Sequence, residues 1–600
     1  MGDRVLLVAA DQRGSKHLER LLRRAGAEAF ARAFEPLVAA LPDLAPNQYG
    51  SHVLEAALAS WAARWEAPAA PEGSQLAAPP EPPPVAPLAA LCRSLREDGQ
   101  WPGLVDSACA SHVIRALLLA LGGFAPEAAK KGRATARAGQ LPERRHDVPP
   151  EVVACRGDAA SELARLVRED PDLCMSAHAS PVVQLLLRVL RDRGDHRLHA
   201  AAACAVVGAS GPSARPSVER CDALLASAPG SRALEAVVET AGAEVVASLF
   251  SHYFKPRLGS FADGSAGHFG PFLAQRLADA LREPAQLSEA LAAVDFGRLL
   301  GADAGPAQHA IAVKLLEACL RLRAGLGEGA AAAFKALGVA SREDFQRAWP
   351  ALLALDASVA DTTGLLQPAP DAPAAGAAVA EVPLLRQLPP AGAQLLIALM
   401  RFPAEHVQPL NTGLYKLLKS KDALRALAFE PPTARLLEAA LAPSSAVAPK
   451  QRLRLARGFK GLVADLGPHR VGGWVVAAVW RAALGETELR KALAEELLSV
   501  EETLRVYNFA VWKVCGLHQA KMRTGEWAEK QQKAGKAKKV FGELLAEGSG
   551  AAEAAKAAAA RRSRQKEDEA FREAGAANAA ALADPLVAQL LADGQAPTAG

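Results

Sequence analysis

Aromatic residues make up only 5% of this 600-residue chain, and β-branched clusters and alternating strand patterns are scarce. That shortage removes the usual signature of sheets. The eight cysteines, at 92, 109, 155, 174, 204, 221, 319 and 515, form no C-x-x-C pair. Their spacing gives neither a zinc site nor a disulfide framework. They read as small buried hydrophobes in a reducing compartment. No apolar run approaches the length of a membrane span, and residues 4–11 are too short and too polar at their flanks for a signal peptide. The expectation is a soluble intracellular protein. Charge of one sign is also lacking: the formal net charge is +4, which neither demands nor excludes nucleic acid, since a basic groove can coexist with an acidic outer face. No Walker A motif, H-E-x-x-H or EF-hand loop appears, and the thirteen histidines are scattered. No metal, no cofactor and no enzymatic activity are expected.

What the chain has is alanine. Half of its residues are apolar and the mean hydropathy is +0.06, so most of it should fold. Alanine loses no side-chain entropy in a helix, so the composition favours helices. The length is too great for one compact core and points to several domains or an extended array.

One short pattern recurs. It reads Asp11-Gln-Arg-Gly-Ser-Lys-His-Leu-Glu19, then Asn47-Gln-Tyr-Gly-Ser-His-Val-Leu-Glu55, Ser107-Ala-Cys-Ala-Ser-His-Val-Ile-Arg115, Ser176-Ala-His-Ala-Ser-Pro-Val-Val-Gln184 and Ser227-Ala-Pro-Gly-Ser-Arg-Ala-Leu-Glu235. Weaker copies are Ala266-Gly-His-Phe-Gly-Pro-Phe-Leu-Ala-Gln275, Pro432-Thr-Ala-Arg-Leu-Leu-Glu438 and Val471-Gly-Gly-Trp-Val-Val-Ala477. Pro306 to Glu317 is a further weak segment, and Tyr507 to Lys513 is a candidate for a terminal one. In each copy a small residue or turn precedes Ser, Gly or Ala; a variable residue follows, then two apolar residues, then Glu, Gln or Arg. Apolar residues continue at helical spacing, as in Leu18, Leu21 and Leu22. This is a helix start with one buried face.

Ser15 to Ser51 is 36 residues and Ala434 to Gly473 is 39. Ser51 to Ser111 is 60 and Ser111 to Ser180 is 69; the surpluses match a proline-rich stretch at about 67–87 and a basic, polar one at about 125–150, both expected to be disordered inserts. A period near 36 with two helices per unit is that of a solenoid. The expected organisation is an all-α solenoid with N-terminal repeats over 1–330, an irregular connection over 331–394, C-terminal repeats over 395–520 and a basic, alanine-rich tail over 521–600. That tail is expected to be an exposed helix or disordered.

The repeated polar positions suit base reading. The fifth residue lies four after the first, so both share a helical face away from the apolar pair. One helix of each pair lines the concave side of a solenoid, and Pumilio-type repeats read one base per repeat there with two or three side chains. Ser15 with Glu19, Ser51 with Glu55, and Ser231 with Glu235 resemble the guanine-reading pair of Pumilio-type repeats, and Ser111 with Arg115 resembles the combination associated there with cytosine. Ser180 with Gln184, Gln275, Glu438 and Trp474 belong to the same set. Lys16, His52, His112, Arg232 and Arg435 stand at the base-stacking position, where Pro181 and Pro271 interrupt the series. Any one such residue is more often a solvated helix residue than a base reader; recurrence at one offset favours RNA. Ser51-His52 and Ser111-His112 are not hydrolase dyads, because adjacent helical residues diverge by about 100°. Gly458-Phe-Lys-Gly461 has the spacing of a phosphate-clamping loop, and Lys130 to Arg145 and Lys521 to Lys566 are candidate phosphate-contacting or nuclear-import segments.

The segments D-Q-R-G-S-K-H-L-E-R-L-L, N-Q-Y-G-S-H-V-L-E, C-A-S-H-V-I-R, H-A-S-P-V-V-Q-L-L-L and G-S-R-A-L-E, then G-G-W-V-V and N-F-A-V-W-K before a basic tail, resemble the nucleolar protein 9 family over about residues 5–545. The resemblance implies a C- or U-shaped protein of about eleven Pumilio-like (Puf) repeats in the nucleolus or nucleus. It implies binding to small-subunit (18S) rRNA precursor and shielding of a cleavage site during 40S biogenesis, as a monomer, with pre-40S assembly factors as further partners and no membrane. Family members carry a basic arm and a further helical stretch before the first repeat, and this chain begins almost inside it, which suggests a truncated start. The competing readings are a HEAT- or armadillo-like protein scaffold and a Pumilio-type regulator of messenger RNA, the latter opposed by the irregular spacings.

Overall fold

A computed structural model describes residues 2–65, 83–97, 99–125, 141–142, 146–301, 303–341, 343–345, 349, 353, 366–367, 384–385, 390–413, 421–523, 525–533 and 537. The two inserts expected near 67–87 and 125–150 lie largely outside these residues, as do most of the 331–394 connection and most of the tail.

The chain forms two units, Met1–Asp295 and Phe296–Gly600. In the first unit the recurring motif opens six helices: α1 (Gln12–Arg24), α2 (Gly50–Ala63), α3 (Ala110–Leu121), α4 (Ala179–Arg193), α5 (Ala228–Thr240) and α6 (Gly270–Ala280). Each packs on the next. A second row stacks behind them, helix on helix: Gly2–Ala10, Ala27–Ala39, Ala86–Glu97, Pro150–Glu169, His196–Val207 and Ala243–Leu249. In the second unit the row is α7 (Pro306–Leu322), α8 (Pro390–Met400), α9 (Pro431–Leu441), α10 (Gly472–Ala482) and α11 (Phe509–Val514), again each on the next. Each unit is a helical-repeat solenoid. One departure from an all-helical chain among the described residues is a two-residue antiparallel pair, Leu366–Gln367 with Leu384–Leu385, with Leu366 opposite Leu385.

The motif folds as it does for two local reasons. Its opening residue caps the helix. Asp11 Oδ2 accepts from the backbone N–H of Arg13 and Gly14 at 2.9 and 2.7 Å, and Asn47 Oδ1 accepts from Tyr49 and Gly50, both at 2.9 Å. Ser107, Ser176 and Ser227 do the same through their hydroxyls. Such caps satisfy the orphan N–H groups of a first turn. The small residue before the register is needed because a Cβ there would meet the carbonyl six residues back. That oxygen lies 2.4 Å from such a Cβ at Gly14 (Val8), 2.7 Å at Gly50 (Leu44), 2.5 Å at Gly230 (Leu224) and 2.7 Å at Gly472 (Leu466). In α9 the same contact is a hydrogen bond, Thr433 Oγ1 donating to Leu427 O at 2.6 Å.

Between the rows lies the core, with Phe30, Phe34 and Trp61 at 1% exposure or less and stacked in series. Burying each such side chain contributes about 1.5–3 kcal/mol. Leu21, on the expected apolar stripe with Leu18 and Leu22, is instead exposed. Seven of the eight cysteines are buried and all are free thiols. Among the described residues no helix is long and apolar enough to cross a membrane.

The segment read as the start of the tail does not begin exposed. Residues 525–533 are helical, with Trp527 buried 6.2 Å from the Trp480 ring. Arg490, itself buried, donates to Gln531 and to Trp480 O.

Candidate nucleic-acid interface

In the copies that begin at Ser51, Ser111, Ser231, Pro271 and Ala434 the five places share one burial pattern: buried, exposed, buried, buried, half-buried. The first copy departs at its third place, where His17 is exposed, and the copy at Ser180 at its second, where Pro181 is half-buried. A helix that packs through two adjacent stripes must present its second and fifth places to the open side. Lys16, His52, His112, Arg232 and Arg435 occupy the exposed second place, and Glu19, Glu55, Arg115, Gln184, Glu235, Gln275 and Glu438 the half-buried fifth. Trp474 is half-buried at the second place of α10.

The first place departs from expectation. Ser15, Ser51, Ser111, Ser180 and Ser231 are all 3% exposed or less. The hydroxyls of Ser15, Ser51 and Ser231 donate to the carbonyls of Gln12, Gln48 and Ala228 at 3.3, 3.2 and 3.0 Å. Ser180 Oγ donates to Pro229 O of the next repeat at 2.7 Å and accepts from Gln184 Nε2 at 3.0 Å. The Ser–Glu pairs are therefore not two surface groups: the serine secures the backbone, and the fifth-place side chain is the polar group at the surface. The cause is the close approach described above, which presses the start of each helix onto its neighbour.

The stacking series also needs one correction. Pro181 does stand at the second place of α4. Pro271 does not: it is buried at the first place of α6, and the second place is Phe272, 41% exposed. Counting three back from Gln275, as Lys16 stands three before Glu19, would have found it. Three further copies lie in the second unit: His309 with Ala310 and Val313, Ala393 with Gln394 and Ile397, and Asn508 with Phe509 and Trp512. His309 is 7% exposed, burial lowers its pKa, and neither ring nitrogen has a hydrogen-bond partner.

Each fifth-place glutamate of the first unit has a basic side chain beside it. Glu19 lies 3.5 Å from Arg23, Glu55 Oε1 lies 3.6 Å from His52 Nδ1, and Glu235 Oε2 lies 3.3 Å from Arg276 Nε of the next helix. Such surface pairs add at most about 1 kcal/mol, but they restrain where the carboxylate points. Arg115 donates to His112 Nδ1 at 2.7 Å. Burial first, then the Arg115 charge, holds the His112 pKa below the usual imidazole value, so the neutral ring that accepts this bond is the favoured form. Burial also lowers the Arg115 pKa, opposed by Glu55. His52 and Glu55 of α2 and His112 and Arg115 of α3 thus sit in one electrostatic network.

The G-x-x-G segment is not an open phosphate clamp. The N–H of Gly461, at φ +86°, donates to both carboxylate oxygens of Glu496 at 2.8 Å, so an anion of the protein already fills that position. The basic segment 130–145 lies outside the described residues except for 141–142.

Comparison with known proteins agrees with this geometry. A family model for the NOP9-like PUF repeat domain matches residues 4–509. Nucleolar protein 9 of Aspergillus fumigatus is 32% identical over 126 residues, 20% of this chain and 18% of that protein. Nucleolar protein 9 of Aspergillus clavatus is 33% identical over 116 residues, 19% and 17% of the two chains. The matched stretches thus span less than a fifth of these curated relatives. Among solved structures, APUM23 with the RNA GGAGUUGACGG has a TM-score of 0.66 and 20% identity, covering 88% of this chain and 92% of that one. APUM23 with GGAUUUGACGG gives 0.67 at the same identity, covering 89% and 94%. The likeness to these structures is one of fold.

Proposed function

The chain belongs to the family of the NOP9-like PUF repeat domain, and we propose that it is an RNA-binding protein of the nucleolus that holds small-subunit rRNA precursor along its register helices and shields a cleavage site during processing. The observation that carries this reading is the repeated exposure of a cation or ring one turn from a half-buried polar side chain: Lys16 with Glu19, His52 with Glu55, Arg232 with Glu235. An exposed plane or cation can lie against a base while the neighbouring carboxylate accepts the donors of its edge. The name of the Aspergillus relatives supports the nucleolar setting, and the RNA in the APUM23 structures supports the ligand class. RNA held across several helices would be sterically closed to a nuclease until released, which is the shielding step.

The test is a salt titration of the full chain with small-subunit rRNA precursor fragments. The expected result is tight binding whose logarithm falls linearly with the logarithm of salt. A variant with Glu19, Glu55 and Glu235 changed to Ala should lose discrimination between fragments, by about 1–3 kcal/mol for each reader removed. No binding at low salt sinks the proposal.

A further inference from the structure

The last two repeats replace the polar fifth place with apolar or aromatic groups. At the first, second and fifth places α10 has Gly473, Trp474 and Ala477, and α11 has Asn508, Phe509 and Trp512. Ala477 has no polar side-chain atom to meet a base edge. The two helices touch at the first place: a Cβ on Gly473 would lie 2.0 Å from Asn508 Nδ2 and 3.0 Å from Val511 Cγ2. The residues that follow, Trp474 and Phe509, therefore open at neighbouring points of one surface. Phe509 and Trp512 stack with centroids 5.1 Å apart and planes at 20°. The His518 ring lies 5.8 Å from Trp512, and the Arg505 guanidinium lies 5.7 Å from its centre. Arg505 and Lys513 are exposed.

We propose, on the premise that the protein binds RNA, that this end of the array is a stacking platform that holds single-stranded nucleotides without regard to base. Every base has a π face, so stacking on Trp and Phe gives affinity with little discrimination. Arg505 and Lys513 supply the phosphate contacts, which are blind to sequence and sensitive to salt. Two features select a nucleotide over a protein ligand: cations alternate with rings, and the rings continue the register that carries Lys16, His52 and Arg232 in the first unit. Base identity is then read by the fifth-place side chains of the first unit, while the second unit holds nucleotides without reading them.

The probes are a randomised twelve-nucleotide single-stranded RNA pool and the sequence that the wild-type chain enriches from it. In the full chain, Trp474→Leu with Phe509→Leu keeps apolar volume and removes two π faces. Affinity for both probes should fall by the same factor, about tenfold for each lost stack, and their ratio should hold. Arg505→Gln with Lys513→Gln changes only exposed side chains, so folding is not at issue; the salt slope should fall by about 1.4. In the Glu19, Glu55 and Glu235 variant the ratio should collapse while pool affinity holds. The platform is overturned if the Leu variant binds the pool like wild type, if its ratio changes, or if the Gln variant keeps the wild-type slope. A wild-type chain that binds neither probe overturns the RNA reading itself.

Discussion

His199, in the helix His196–Val207, is 3% exposed, and its Nε2 lies 2.8 Å from the hydroxyl of Thr240 in α5. That hydroxyl donates its only proton to Ala236 O, so its oxygen accepts and Nε2 carries the ring proton. Burial pushes the His199 pKa down to about 4, aided by the charge of Arg191. The unfolded chain, with an ordinary histidine near 6.5, binds this proton more readily than the folded one. Stability from this site is therefore complete above about pH 6.5 and is lost as pH falls toward 4. Between pH 7 and pH 5 the loss should be about 2 kcal/mol. Urea denaturation at the two pH values will show it, and His199→Gln should flatten the difference. At this scale the sequence was legible in part. The exposed second place could be read from the recurrence of Lys16, His52 and Arg232, and the fifth place from Glu19, Glu55 and Glu235. The depth of the serines could not, because periodicity gives the direction of a side chain and not how near the next helix comes. Phe272 was hidden for a related reason: Pro271 is compatible with a first helical turn at either of two places.

The register helices share a device at their C-terminal ends. Arg64, just beyond α2, donates to Ala25 O at 2.7 Å at the end of α1, with its guanidinium 4.1 Å from the Phe30 ring centre. Arg156 donates to Leu121 O of α3 at 3.0 Å, Arg282 to Ala241 O beyond α5 at 2.9 Å, and Arg490 to Trp480 O of α10 at 2.7 Å. Each places a cation on the negative end of a helix dipole and satisfies a carbonyl that the helix leaves over. Arg64→Met keeps the packing stem and removes the donor. It should cost about 1–2 kcal/mol, read as a lower denaturant midpoint with an unchanged slope. None of these arginines stands out in the sequence, because each is defined by a partner in another repeat, 35 to 41 residues away for Arg64, Arg156 and Arg282. Elements with a polar motif, such as α2 and α5, were legible. The α8 copy, Ala393-Gln-Leu-Leu-Ile397, was not, since an alanine- and leucine-rich helix offers no contrast between its faces.

Within each unit a helix packs mainly on the repeats before and after it, so stability should be a sum of neighbour terms rather than one cooperative block. Gly50→Ala would force a methyl against Leu44. Hydrogen exchange should quicken across residues 27–63 and in α1 and α3, and stay at the wild-type rate in α10; faster exchange in α10 would show a longer-range coupling. The solenoid class was legible from the 36- and 39-residue spacings, whereas the lesser strand pair at Leu366 and Leu385 carries no sequence signal at all. The six-residue step that joins each back-row segment to its register helix has one further consequence. It is the same from Val8 to Gly14, Leu44 to Gly50, Leu224 to Gly230, Leu427 to Thr433 and Leu466 to Gly472, while the distance between successive first places ranges from 35 residues (Gly473 to Asn508) to 84 (His309 to Ala393). That joint thus admits no added length, which lies either beyond a back-row helix, as at 208–217 after His196–Val207, or between the end of a register helix and the next back-row helix. The proline-rich 67–87 follows α2 and the basic 125–150 follows α3 in this way. An ancestral array could lengthen by whole appendages at those seams and still present its exposed side chains at an unaltered pitch.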